Sequence, residues 1–150
     1  MNIRKLELDE KPPIDLLLLA DPSHMIVERY IERGDCYIAE KEGEAIGVYV
    51  LLPTKPNTIE LVNVAVKETY QKQGFGKQLV LDALKQAALC GFKTVEVGTG
   101  NSSIEQLALY QKCGFRIKSV DSDFFVKHYP QVIYENGIQC RDMVRLSIEL

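Results

Sequence analysis

The sequence predicts an α+β fold, a mixed sheet with helices packed on its faces. Strand-like runs outnumber helical ones along the 150 residues. Three of them, at 36–40, 45–52 and 58–66, follow one another through short turns, which excludes a simple βα alternation. With 46% apolar and 26% charged side chains the composition is that of a globular protein. At roughly 100–200 residues per domain, 1–150 is expected to form one domain.

Residues 2–8 (NIRKLEL) alternate apolar and polar and predict the first strand. Residues 13–20 and 23–33 read as short helices. In the second, Ser23 is the expected N-cap, Ile26, Val27, Tyr30 and Ile31 form the apolar stripe, and Gly34 is the stop. Lys41-Glu42-Gly43-Glu44 reads as a hairpin turn, and Pro53, Pro56 and Asn57 punctuate the next connection. In strand 58–66 strict alternation puts Glu60, Val62, Val64 and Val66 on one face and Leu61, Asn63 and Ala65 on the other. Both faces are largely apolar, so the strand is expected to be central.

The clearest helix covers 76–90, with Leu79, Val80, Ala83, Leu84, Ala87 and Ala88 on one face and Gly91 closing it. TVEVG (94–98) predicts a strand. A helix at 103–113 follows, where Ser102-x-x-Glu105 and Ser103-x-x-Gln106 both match a capping box and Gly114 takes the C′ position. FRIKSV (115–120) and the terminal MVRLSIEL predict two further strands. Between them, 121–140 is less regular, with an Asn136-Gly137 turn signal and an aromatic concentration at Phe124, Phe125, Tyr129 and Tyr134. That segment reads as a lid over an acceptor site, as a homodimer contact, or as a hairpin packed on its own domain.

Charge and cysteine usage exclude some classes of function. The net charge of −3 supplies no basic footprint for nucleic acid. LLLLA (16–20), stopped by Asp21-Pro22, is far too short for a membrane span, and MNIRKLELDEK lacks the apolar core of a signal peptide. Cys36, Cys90, Cys113 and Cys140 are scattered without metal-ligand spacing, so reduced thiols in a cytoplasmic protein, and no metal, are expected.

The chemistry concentrates between strand 58–66 and helix 76–90. Gln71, Gly74 and Gly76 form Q-x-x-G-x-G directly before the helix. Glycines let the backbone turn sharply there, so that several N–H groups and the helix dipole converge on a phosphate or pyrophosphate. Lys72 and Lys77 add positive charge. A P-loop is excluded because position 71 is Gln and Lys77 is followed by Gln78; the dinucleotide fingerprint is excluded because position 79 is Leu.

Together, V-A-V at 64–66, the Q-x-x-G-x-G loop and L-Y-x-K-x-G-F at Leu109–Phe115 resemble the GNAT superfamily of acetyl-CoA-dependent N-acetyltransferases, over about residues 3–120. The resemblance implies a twisted, centrally splayed sheet of six to seven strands with the cofactor in the V-shaped gap. It implies that backbone groups of Val64, Ala65 and Val66 pair with the pantetheine arm like an added strand. It implies that amides of Gln71, Lys72, Gln73, Gly74, Phe75, Gly76 and Lys77 hold the pyrophosphate. Asn101 or Ser103 would contact the cofactor: the family asparagine lies seven residues before the tyrosine, where this chain has Ser103, and Asn101 lies nine before it.

Tyr110 is the expected catalytic proton donor to the departing thiolate, since a phenol titrates ordinarily near pH 10. Glu60, about 13 Å along the strand from Val64 at ~3.3 Å per residue, is the expected base through ordered water, with His24 as the alternative. An oxyanion donor is implied among the backbone N–H groups near Val64 or Val66. Residues 1–60 carry 12 acidic and 7 basic side chains, and 61–150 carry 9 and 11. That asymmetry suits an anionic cofactor and a small-molecule or peptide amine, drawn by Asp21, Glu28, Glu32 or Asp35. The expected activity is acetyl transfer from acetyl-CoA to a primary amine by direct attack; a non-catalytic acyl-CoA sensor is the competing reading.

Overall fold

The computed structural model describes residues 1–150. Its frame is one seven-stranded sheet in the order β1-β2-β3-β4-β5-β9-β6. The antiparallel meander β1 (Asn2–Lys5), β2 (Asp35–Lys41), β3 (Glu44–Lys55) and β4 (Thr58–Val66) forms one half. β5 (Thr94–Gly100), β9 (Met143–Glu149) and β6 (Arg116–Asp121) form the other. The turn joining β2 to β3 holds Glu42 and Gly43 at φ 53° and 78°, the left-handed pair that a tight hairpin requires.

α1 (Ile14–Ala20) and α2 (His24–Arg33) cover one face, burying Leu16, Leu17, Val27 and Tyr30 against Ile38, Val48, Val50 and Ala65. α3 (Phe75–Leu89) and α4 (Ile104–Lys112) cover the other, around Tyr49, Leu61, Leu79 and Leu146. The Ser23 hydroxyl caps α2 by accepting the Ile26 N–H at 3.3 Å. The Tyr49 hydroxyl donates to Asp82 at 2.6 Å and so ties α3 to the sheet. No helix is long and apolar enough to cross a membrane.

Several expectations are corrected. The first strand ends at Lys5, because Arg4 is drawn to Glu10 and Glu7 N–H to the same carboxylate, turning the chain and leaving Leu8 in solvent. Gly34 does stop α2, as expected, but in extended backbone; glycine is needed because a Cβ there would lie 2.7 Å from the Leu51 carbonyl. Neither capping box forms: the Ser103 hydroxyl donates to Glu135 instead, and the Ser102 hydroxyl is buried without a partner. The segment 121–140 folds into α5 (Phe124–His128) and a small hairpin of β7 (Tyr134–Glu135) and β8 (Ile138–Gln139), turned at Asn136-Gly137. It packs on its own chain.

The strict alternation in β4 fails at Val62. Leu51 pairs with Leu61 but Val50 with Asn63, so Val62 is an extra residue, a β-bulge. Leu61 therefore packs on the α3 side, whereas Asn63 reaches α1 and α2 through bonds to the Leu17 carbonyl and the Tyr30 hydroxyl. Beyond the bulge Val64 returns to the α3 side. Glu60 consequently shares its face with Asn63 and Ala65, not with Val64.

Candidate active site

The two halves of the sheet meet along β4 and β5, the one parallel pair. The ladder runs from Thr58–Thr94 to Leu61–Val97 and stops. Further along, β5 remains paired to β9 through Gly100, while the β4 edge from Val62 to Val66 has no partner on that side. The strands diverge into a V whose β4 wall carries free backbone groups.

Two adjoining cavities occupy this V. The first, about 330 Å³, is lined by Val64, Ala65 and Val66, by Gln71, Lys72, Gly74, Gly76 and Lys77, and by residues of α1 and α4. The second, about 200 Å³, holds Tyr110, Asn63, Asp21 and Tyr129 in its walls. Leu19, Ala20, Val64 and Gln106 belong to both, so the two are stages of one channel meeting at Val64.

The loop before α3 gives the first cavity groups suited to an anion. A 3-10 turn at Glu68–Tyr70 is followed by Lys72 at φ 63° and Gly74 at φ 87°, and α3 starts at Phe75. The first helical bond runs from Gln78 N–H to the Gly74 carbonyl and no side chain caps the helix. The amides of Phe75, Gly76 and Lys77 are thus uncommitted and point, with the helix dipole, toward the cavity. Gly76 already lies inside the helix, so it supplies clearance and not a turn. Gln71 and Gln73 side chains brace the loop, donating to the carbonyls of Val66 and Thr69 at 2.9 and 3.3 Å. Gln73 and Phe75 lie outside the cavity lining; the Phe75 ring packs edge-on against Tyr70 at 6.0 Å.

Tyr110 sits in the last turn of α4, buried, its ring against Phe115 at 5.8 Å. Its hydroxyl forms no hydrogen bond within the chain. Burial pushes its phenol above the ordinary range, so it stays protonated through neutral pH. Glu60 is half-buried opposite Glu96 in the ladder, and burial raises its carboxyl, partly opposed by Arg145. It lines neither cavity. His24 lies on the exposed side of α2, paired with Glu28 at 3.0 Å.

Asn101 lies outside both cavities and spends its side chain on the fold. Its Oδ1 accepts the N–H groups of Arg141 and Asp142 at 2.8 and 2.9 Å, and its Nδ2 donates to the Gln139 carbonyl at 3.1 Å. Ser103 reaches the second cavity with its hydroxyl committed to Glu135 at 2.8 Å. Of the four acids considered for an amine, only Asp21 enters a cavity wall. Its Oδ1 accepts the Tyr129 hydroxyl at 2.9 Å and the Ser23 N–H at 3.1 Å. Burial raises its carboxyl above the ordinary carboxylate range. The segment 121–140, one reading of which is a lid over the acceptor site, brings Phe125, Tyr129 and Cys140 into that wall, while Met143 arrives from β9 with no local pattern to mark it.

Comparison with known proteins gives consistent matches. The model of the Acetyltransferase (GNAT) family matches residues 2–115. The chain is 62% identical over its full length, and over the full length of the relative, to the uncharacterized N-acetyltransferase YvbK of Bacillus subtilis (strain 168). It superimposes with a TM-score of 0.94 on a Bacillus subtilis acetyltransferase solved in complex with CoA, at 61% identity over 99% of this chain and 97% of that one. A GNAT family acetyltransferase from Elizabethkingia anophelis with acetyl-CoA bound gives a TM-score of 0.97 at 46% identity, with the same coverage.

Proposed function

The chain belongs to the GNAT acetyltransferase family and is an N-acetyltransferase, and from that premise we propose that it moves the acetyl group of acetyl-CoA directly onto a primary amine in a ternary complex. The observation that carries this reading is the single channel in which the phosphate-binding loop, the free edge of β4 and the Tyr110 ring follow one another.

The pyrophosphate rests on the amides opening α3, with Lys72 and Lys77 alongside. The pantetheine arm pairs with the free edge at Val64–Val66, which brings the thioester to the junction of the cavities. The amine arrives as an ammonium and loses one proton to solvent; its neutral nitrogen then attacks the thioester carbonyl carbon, and the oxygen takes the negative charge, received by amides of the unpaired β4 edge. The C–S bond then breaks. Sulfur leaves with the electron pair and takes the Tyr110 proton, while the nitrogen returns one proton to the phenolate. The products are the amide and free CoA thiol. Glu60 lies outside the walls of both cavities, so its path to the amine runs through solvent; the carboxylate within the wall is Asp21.

The test is release of CoA thiol from acetyl-CoA across a library of primary amines. Amine-dependent release with one acetyl transferred per thiol is expected. Tight acetyl-CoA binding with no release by any amine would overturn the enzymatic reading in favour of a sensor.

A further inference from the structure

The second cavity has a one-sided chemistry. None of its lining residues is Lys, Arg or His, and it carries two carboxylates, Asp21 and Glu135. Glu135 receives the Ser103 hydroxyl. Asp21 has no cationic partner: the groups around it are the Tyr129 and Tyr30 hydroxyls and the Ser23 amide. Its two short hydrogen bonds, from the Ser23 N–H and the Tyr129 hydroxyl, both fall on Oδ1, and the Tyr30 hydroxyl is a further neutral donor.

A second observation points the same way. Asn63, 3% exposed and in the same wall, donates through Nδ2 to the Leu17 carbonyl and the Tyr30 hydroxyl, while its Oδ1 has no partner. The donation to a carbonyl fixes which end of that amide is oxygen. The buried side-chain atoms of this wall left without a partner, Asn63 Oδ1 and Gln106 Oε1, are both acceptors, and Asp21 is a carboxylate held by neutral donors alone; the free donor, the Tyr110 hydroxyl, is the one assigned to the leaving thiolate. A half-buried charge without a partner costs free energy that a bound cation recovers.

Leu61, Val62, Phe125, Ile133 and Met143 give the same cavity an apolar and aromatic side. The volume of about 200 Å³ equals that of roughly seven waters at ~30 Å³ each, room for a small molecule and not for a folded chain. Resting on the acetyl-transfer reading above, we propose that the acceptor is a small primary amine on an apolar, aryl-alkyl body without a carboxylate, held in the second cavity by the Asp21 carboxylate. An amino acid is excluded by the same wall. Its carboxylate would enter a site that has two acids and no base to receive it.

The pair 2-phenylethylamine and phenylalanine isolates the point, since they share ring and amine and differ by one carboxylate. Calorimetric titration of the CoA-loaded, full-length protein should show the amine binding at least tenfold more tightly than the amino acid. Asp21→Asn should weaken amine binding tenfold or more and leave CoA affinity unchanged, because Asp21 lines only the second cavity. Equal or tighter binding of phenylalanine, no binding of either, or an Asp21→Asn protein that binds the amine normally would overturn the proposal. The wild-type comparison decides even if the variant folds poorly. Thiol release separates the two readings: amine that binds preferentially without turnover sinks acetyl transfer and leaves the anchor. Turnover of phenylalanine at a rate equal to that of the amine sinks the anchor and leaves acetyl transfer.

Discussion

In the proposed reaction Tyr110 is the proton donor, and its surroundings suit a phenol to that task. Burial holds the proton on the ring oxygen at neutral pH, and no group of the chain competes for it. Tyr110→Phe keeps the ring packing on Phe115 and removes only the donor. The expected outcome is a kcat lowered about 100-fold or more, within the usual range for general acid catalysis, with acetyl-CoA affinity unchanged. Steady-state kinetics beside calorimetric acetyl-CoA binding checks this, and equal losses in both would make Tyr110 a binding residue. Tyr110 was legible in the sequence because the L-Y-x-K-x-G-F pattern is local. The placement of Glu60 was not, because one extra residue at Val62 reverses which face it occupies.

At the scale of the element, the two glycines of the phosphate loop do different work. Gly74 has φ 87° and space around it, so Gly74→Ala pays only for the left-handed backbone, about 1–2 kcal/mol. Gly76 has helical backbone, and a Cβ would meet nothing closer than Leu109 at 3.6 Å, but that Cβ would stand in the first cavity. Thermal unfolding should therefore show Gly74→Ala destabilised and Gly76→Ala as stable as wild type. CoA titration should show Gly76→Ala weakened about tenfold or more.

At the edge of the sheet, Arg4 donates to both Glu10 oxygens at 2.6 and 2.8 Å and to Glu40 at 2.8 Å. Hydrogen bonding to Arg4 lowers the Glu10 carboxyl from its ordinary 4.5 to about 2. A carboxyl lowered in the folded state stabilises above its unfolded value, and that stabilisation is lost as pH falls through the folded one. Denaturation profiles between pH 4.5 and 2 should be steeper for wild type than for Glu10→Gln; identical slopes would show the pair to be inert.

Across the whole molecule, the acceptor end of the channel is assembled from segments far apart in the chain. The Tyr129 hydroxyl reaches Asp21 at 2.9 Å across 108 residues and fastens the α5 segment to the corner between α1 and α2. Tyr129→Phe removes one hydrogen bond, a loss of about 1 kcal/mol. Hydrogen exchange should accelerate over 124–135 with the rest of the sheet unchanged, and the acceptor KM should rise. Unchanged exchange in that segment would show that the bond does not hold it.

Most of the element order, the turns at Glu42-Gly43 and Asn136-Gly137, the glycine loop before α3 and the position of Tyr110 were legible in the sequence; α5, β7 and β8 were not. Each legible feature rests on periodicity, backbone preference or a motif contained within a few residues. The bulge in β4, the commitment of Asn101 to the chain segment before β9, and the arrival of Asp21, Asn63 and Tyr129 in one wall emerge from the folded chain alone. Those depend on register and on contacts between distant segments, where one residue more or less redirects a side chain to the opposite face. The proposed reaction draws on local motifs, and the proposed choice of amine on long-range packing.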